Sequence, residues 1–139
     1  MESLIKIFSS EKFGLLILSI LSFVRGFSYL PLVLEQDRKP AHYLENMIQP
    51  EIWGYIWITL SIVCLIAMCY HKITPLAIGF VTLLYLVWGG SFFIATIVEG
   101  GRQWVSSINY LGVAALTLWA TSKSSIPQNI TFNFNKDDE

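Results

Sequence analysis

Arg25 is the residue in this sequence whose chemistry most needs explaining. It is the one charged residue in the apolar run 13–34. A guanidinium at the centre of a membrane helix costs about 2.5–3.5 kcal/mol even on lenient insertion scales. It must therefore face protein, face water or snorkel toward the interface. About eight residues separate it from Val33, roughly 12 Å of helix at a rise of 1.5 Å per residue. Ser22, Arg25, Gly26 and Tyr29 share one face of that run. Trp88, Ser91, Ala95 and Glu99 share one face at the end of a second apolar run, 73–98. Small residues on both faces permit close approach of two helices. The expectation is that these faces meet, with Arg25 directed at Glu99 and hydrogen-bonded to Tyr29 or to backbone carbonyls. Two roles for Arg25 stay open: an anchor that fixes helix depth, or a lining residue of a pore, a cavity or an anionic-ligand site. Asn109 is the second polar residue inside a span, near the small residues Ser106, Gly112 and Ala115. Turned inward, it would cross-link helices by a hydrogen bond worth about 1 kcal/mol. Arg25, Tyr29, Glu99 and Asn109 form the expected intramembrane polar cluster.

The other chemistry-bearing residues make no catalytic or metal pattern. His42 and His71 are the two histidines, neither central in a span nor with a ligand-type residue at i, i+4. Cys64 and Cys69 are five apart in one apolar run, hence on different helix faces, and read as packing residues. No nucleophile beside a base, glycine-rich phosphate loop or paired acidic motif occurs. The sequence predicts no enzyme, no cofactor and no metal.

The elements that hold these residues follow from composition and pattern. Hydrophobic residues make up 54% of the 139-residue chain and charged residues 14%, where soluble domains carry about a quarter charged. Long stretches have no charge and short stretches have several, which is the pattern of a chain passing through lipid. The net charge of −1 gives nucleic acid nothing to bind. The bilayer is the expected partner, with a homo-oligomer or a membrane-protein partner as further options.

Four runs, 13–34, 52–70, 73–98 and 104–122, approach the roughly 20 residues a spanning helix needs. They do not alternate, so a barrel is excluded. A signal peptide is the competing reading of the first run. Arg25 interrupts it and no A-x-A-like cleavage site follows, so the first helix is expected to be retained. The predicted fold is an all-α membrane protein, a four-transmembrane-helix antiparallel bundle over 1–122. A polar tail, 123–139, is expected to be disordered; it holds an apolar alternation at Ile130, Phe132 and Phe134 and the sequon Asn129-Ile130-Thr131.

His71-Lys72 and Glu99-Gly100-Gly101-Arg102 read as tight turns, with Pro75 in the first turn of the third helix. In the longer first connection, Pro40 and Pro50 bracket Ala41, Leu44, Met47 and Ile48 at helical spacing. That predicts a short interfacial helix lying on the membrane with its apolar face down. Lys6, Lys12, Lys72 and Lys123 fall on one side, and Arg38, Lys39 and Arg102 on the other. The excess favours cytoplasmic termini, in a bacterial inner membrane. Trp53, Trp57, Trp104 and Trp119 are expected as interface anchors, with Trp88 the exception, deep in the third span.

Two resemblances bear on function. Arg25-Gly26-Phe27-Ser28-Tyr29-Leu30, a polar connection, and then Leu44-Glu45-Asn46-Met47-Ile48-Gln49-Pro50-Glu51-Ile52-Trp53-Gly54 resemble small multi-span membrane proteins carried by phages and prophages of actinobacteria and related hosts. The resemblance covers about the first half of the chain. It implies a phage-encoded, non-enzymatic membrane protein, holin-like or membrane-perturbing. Tyr85-Leu86-Val87-Trp88-Gly89-Gly90 is similar to a stretch in the third helix of small multidrug-resistance transporters. That family couples drug export to a membrane-embedded Glu in its first helix, whereas this chain has Ser19, Ser22 and Arg25 there. The proton-coupling chemistry is missing, and the stretch reads as packing. A small-solute transporter or channel, or an accessory subunit of a larger membrane complex, are the competing functions.

Overall fold

The computed structural model describes residues 11–33 and 40–124. The expected tail disorder and the charges at Lys6, Arg38 and Lys39 fall outside the described residues. The chain forms α1 (Glu11–Ser28), α2 (Tyr43–Met47), α3 (Pro50–Cys69), a 3-10 turn (His71–Ile73), α4 (Thr74–Glu99) and α5 (Gln103–Ser124). Among the described residues the regular structure is all helical.

The helix ends have local causes. Helix α1 stops at Ser28, short of the expected 34, and Tyr29 to Val33 form successive turns, with Tyr29 N–H on Gly26 O at 3.1 Å and Val33 N–H on Leu30 O at 3.0 Å. Pro31 explains the stop: it has no N–H to donate and pushes Leu30 out of the helical region. Pro50 opens α3 and Pro75 lies in the first turn of α4, where a missing N–H costs nothing. Thr74 Oγ1 donates to Ala67 O at 3.2 Å and ties the α3–α4 hairpin at its turn. Gly100 and Gly101 take φ values of 65° and 123°, a region that L side chains avoid, and so let α4 reverse into α5.

Two elements are long and apolar enough to cross a membrane: α3, and the 3-10 turn with α4. Their mean hydropathies are 2.1 and 2.0. Glu11, Lys12 and Arg25 within α1, and the hydroxyl and amide side chains of α5, keep those two helices below the same measure.

The helices pack in two seams, α1 along α3 and α4 along α5, with α3 also touching α4. The first seam closes at glycine. A Cβ on Gly26 would lie 2.8 Å from Gly54 O and 2.9 Å from Ile58 N, so the two backbones meet there. One side chain on Gly89 would likewise fall 2.8 Å from Leu111 in the second seam, where Ser107 Oγ donates to Gly89 O at 2.9 Å. Hydroxyls line the interior: Ser19 Oγ lies 3.0 Å from both the carbonyl and the hydroxyl oxygen of Ser61. Ser22, Thr82 and Ser91 are buried too, while Val24, Leu76, Phe80, Ile97 and Leu116 point outward.

Helix α2 exists and packs against α4. The expected apolar set divides: Ala41 and Leu44 pack against the core, while Met47 is 77% exposed. His42 and Glu45 are buried as well, where the bundle offers them hydrogen-bond partners. Cys64 is a core residue, while Cys69 is exposed.

Gly26→Ala is expected to destabilise the protein by about 1–3 kcal/mol, since the obstacle is backbone and cannot move aside. Gly79→Ala, where a Cβ meets nothing within 4 Å, is expected to be neutral or stabilising by up to about 1 kcal/mol. Thermal unfolding of the two variants in one detergent measures the contrast.

Candidate functional site

The site is built around Trp88, fully buried on α4. Trp53 and Trp57 from α3 meet it edge to face at centroid distances of 4.5 and 5.6 Å. Tyr29, just past the end of α1, does the same at 6.1 Å, and His42 at 4.8 Å. Tyr85 joins Trp57 at 5.0 Å and Tyr110 of α5 at 5.8 Å; Phe92 stacks on Tyr110 at 5.5 Å. Edge-to-face pairs at these distances contribute about 0.5–1.5 kcal/mol each beyond area burial. The aromatic cluster therefore joins all four long helices at one level.

The first connection caps this cluster. Tyr29 Oη donates to Glu45 Oε1, and Ala41 N–H donates to Glu45 Oε2 at 2.6 Å. His42 Nδ1 lies 2.9 Å from Ser91 Oγ, which also accepts Leu44 N–H at 3.4 Å. Trp53 Nε1 donates to Leu44 O at 3.0 Å. A buried carboxylate and imidazole are tolerable only with such partners. Tyr29, just past α1, and the Ala41 N–H hold the carboxylate, and Ser91 on α4 holds the imidazole.

Arg25 lies in the last turn of α1, where the helix dipole favours a cation. Because α1 ends at Ser28, it lies closer to a helix end than the run 13–34 implies. Its guanidinium sits over the rings of Tyr110, 4.7 Å from the centroid, and Tyr29, at 5.5 Å. Both are cation–π contacts. Tyr85 is also within electrostatic range of Arg25.

Several expected placements are corrected. Arg25 and Glu99 are not brought together: Glu99 is exposed and accepts a hydrogen bond from Gln103 Nε2 at 3.4 Å. Tyr29 does adjoin Arg25, but through its ring rather than through its hydroxyl, which Glu45 holds. Asn109 is exposed on the outer face of α5 and cross-links nothing to the cluster. Trp53 and Trp57 are buried core residues rather than interface anchors; Trp104 and Trp119 are exposed near the two ends of α5, where anchors belong. Of the network residues, the sequence placed Ser91 on the inward face with Trp88 but gave His42 and Glu45 no role. Their spacing signal was present, since His42 and Glu45 are one helical turn apart.

Ser91, His42 and Glu45 are also the residue types of a nucleophile, a base and an orienting acid. Their geometry is that of a latch. His42 Nε2 is 3.9 Å from Glu45 Oε1, beyond hydrogen-bond reach. The imidazole packs against Trp88 and Phe92, at ring-centroid distances of 4.8 and 4.3 Å. Among the described residues no three His, Cys, Asp or Glu side chains converge on a metal position.

Fold and site define the class as an all-helical protein with a polar, aromatic interior and an apolar exterior. Comparison of the chain with protein-family models, characterised proteins and solved structures finds no match.

Glu45→Ala would strand the Tyr29 hydroxyl and the Ala41 N–H. The expected loss is about 1–3 kcal/mol of thermal stability for each buried group left unsatisfied. Glu99→Gln is expected to leave stability within about 0.5 kcal/mol. Melting curves for both, in one detergent, separate this network from the Arg25–Glu99 pairing.

Proposed function

We propose that this chain is a multi-pass membrane protein whose four long helices cross the bilayer as an antiparallel bundle, and that it works as a binding module rather than as an enzyme. The observation that carries this reading is the apolar exterior of the packing. Large aliphatic and aromatic side chains cover the outside, while serine, threonine, histidine and glutamate side chains are buried beside an apolar core. Monomeric soluble proteins rarely expose contiguous apolar patches beyond a few hundred Å². Here the outward faces of α1 and α5 are as apolar as those of α3 and α4.

Helix lengths agree. The 18 residues of α1 span about 27 Å at 1.5 Å per residue, close to the roughly 30 Å hydrocarbon core. Trp104 and Trp119 on α5 stand about 22 Å apart along the helix, matching two aromatic belts. Lys12 and Lys72 on one face against Arg102 on the other support termini on the cytoplasmic side of a bacterial membrane.

The latched connection favours binding over pore formation. A lesion-forming, holin-like protein needs a polar or small-residue face to line water, whereas these polar side chains point into their own bundle. The resemblance of the first half to small phage membrane proteins fits an integral membrane protein and leaves the ligand to be found by experiment.

Reporter fusions after residues 33, 72, 100 and 124 test the topology. Signals are expected to alternate: outside, inside, outside, inside. A fusion at 33 reporting the same side as one at 72 would remove α3 from the set of spans and sink the four-span reading.

A further inference from the structure

We propose that Arg25 anchors a lateral site for an anionic membrane lipid, whose head reaches the guanidinium between α1 and α5. This rests on the multi-pass reading above. Three observations carry it.

The first is charge. No carboxylate among the described residues lies within ion-pair distance of Arg25. Glu45 is held by Tyr29 and Ala41, and Glu99 by Gln103 at the surface. A guanidinium facing lipid with only π contacts lacks the counter-charge its position requires.

The second is an unpaired donor on Arg25 itself. Its Nε–H is buried with no hydrogen-bond acceptor, while the side chain as a whole is partly exposed. Buried donors are rarely left so, and what the guanidinium lacks is an acceptor. A phosphate or carboxylate oxygen supplies one together with the missing charge. Charge-assisted bonds to a planar guanidinium are the strong ones.

The third is access. The tight seams run between α1 and α3 and between α4 and α5. Helices α1 and α5 form no comparable seam, and Arg25 and Tyr110 bridge the interval. Arg25 is partly exposed there. One turn deeper, and further along the same stripe of α1, lie Leu21, Ile17 and Gly14, all exposed. On α5, Val113 lies one turn along from Tyr110 and is partly exposed, and a Cβ added at Gly14 or Gly112 meets nothing within 4 Å. The interval therefore has a cationic mouth and an apolar floor running into the bilayer, the shape of one lipid head and one acyl chain. Tyr110 lies about 10 Å along α5 from its first residue, a depth at which the anion arrives with its acyl chain attached.

The test uses the full chain in nanodiscs of phosphatidylcholine with a minor fraction of phosphatidylglycerol. Lipid retained after release is weighed by native mass spectrometry. The native protein is expected to retain phosphatidylglycerol about ten-fold over its share of the bilayer, a preference of the size a single charge-assisted bond provides. Arg25→Gln should lose the preference, Arg25→Lys should keep part of it, and Lys12→Gln, at the other membrane face, should keep all of it. Inorganic phosphate at millimolar concentration should not displace the lipid. Val113→Trp, which fills the floor and leaves the cation intact, should lose the preference while the protein still melts cooperatively; it carries the test if Arg25→Gln fails to fold. Equal retention by native protein and Arg25→Gln, full preference in Val113→Trp, or displacement by free phosphate would each overturn the lipid site. None of these outcomes touches the topology, which the reporter fusions decide separately.

Discussion

The contact on which most of this structure depends is the backbone meeting of Gly26 and Gly54. It lets α1 and α3 lie against each other with carbonyl oxygen where a side chain would otherwise stand. That approach fixes the height of Tyr29, whose Cβ lies 3.1 Å from where a Gly54 Cβ would be. From that height the Tyr29 ring reaches Trp88 and its hydroxyl reaches Glu45. A seam opened by even one methyl would lift Tyr29 off the aromatic cluster and release the connection that it holds.

Polarity explains why the arrangement suits lipid. Water would compete for every hydroxyl in this interior and would punish the aliphatic exterior. In a bilayer the helix backbones satisfy themselves, and polar side chains gain by meeting one another or a carbonyl inside. Ser19 with Ser61, Ser107 with Gly89 and Thr74 with Ala67 are three such bonds, each tying one helix to the next. The helices thus carry small polar residues on their facing sides for a reason that packing alone does not give.

Much of the fold was legible in the sequence, and the site less so. The four long apolar runs, the two tight turns and the short helix between prolines each leave a local signal: length, Gly-Gly, or Pro spacing. The end of α1 was misplaced because the apolar run continues through Pro31, and hydropathy does not register a broken backbone. The pairing of Arg25 with Glu99 failed for another reason. Helical spacing says which residues share a face but not which faces meet, and Glu99 lies on an end that turns outward. Trp53 and Trp57 were misread because tryptophan suits both a headgroup belt and an aromatic core. His42 and Glu45 were hidden by a rule that sends the apolar side of a surface helix downward. Hydrogen bonding to Tyr29 and Ser91 brings them into the bundle.

Arg25 and Glu45 are best understood through the residue between them. Tyr29 gives its π face to the cation and its hydroxyl proton to the carboxylate. One ring thereby couples α1 to the capping connection without an ion pair. A direct Arg–carboxylate bridge would neutralise both charges and leave the guanidinium with nothing further to do. With the tyrosine interposed, the acid is committed to closing the cap, while the cation keeps its charge and faces the interval beside α5. The same placement explains why Arg25 is tolerated near the end of an apolar helix. The helix dipole and two aromatic faces reduce its cost.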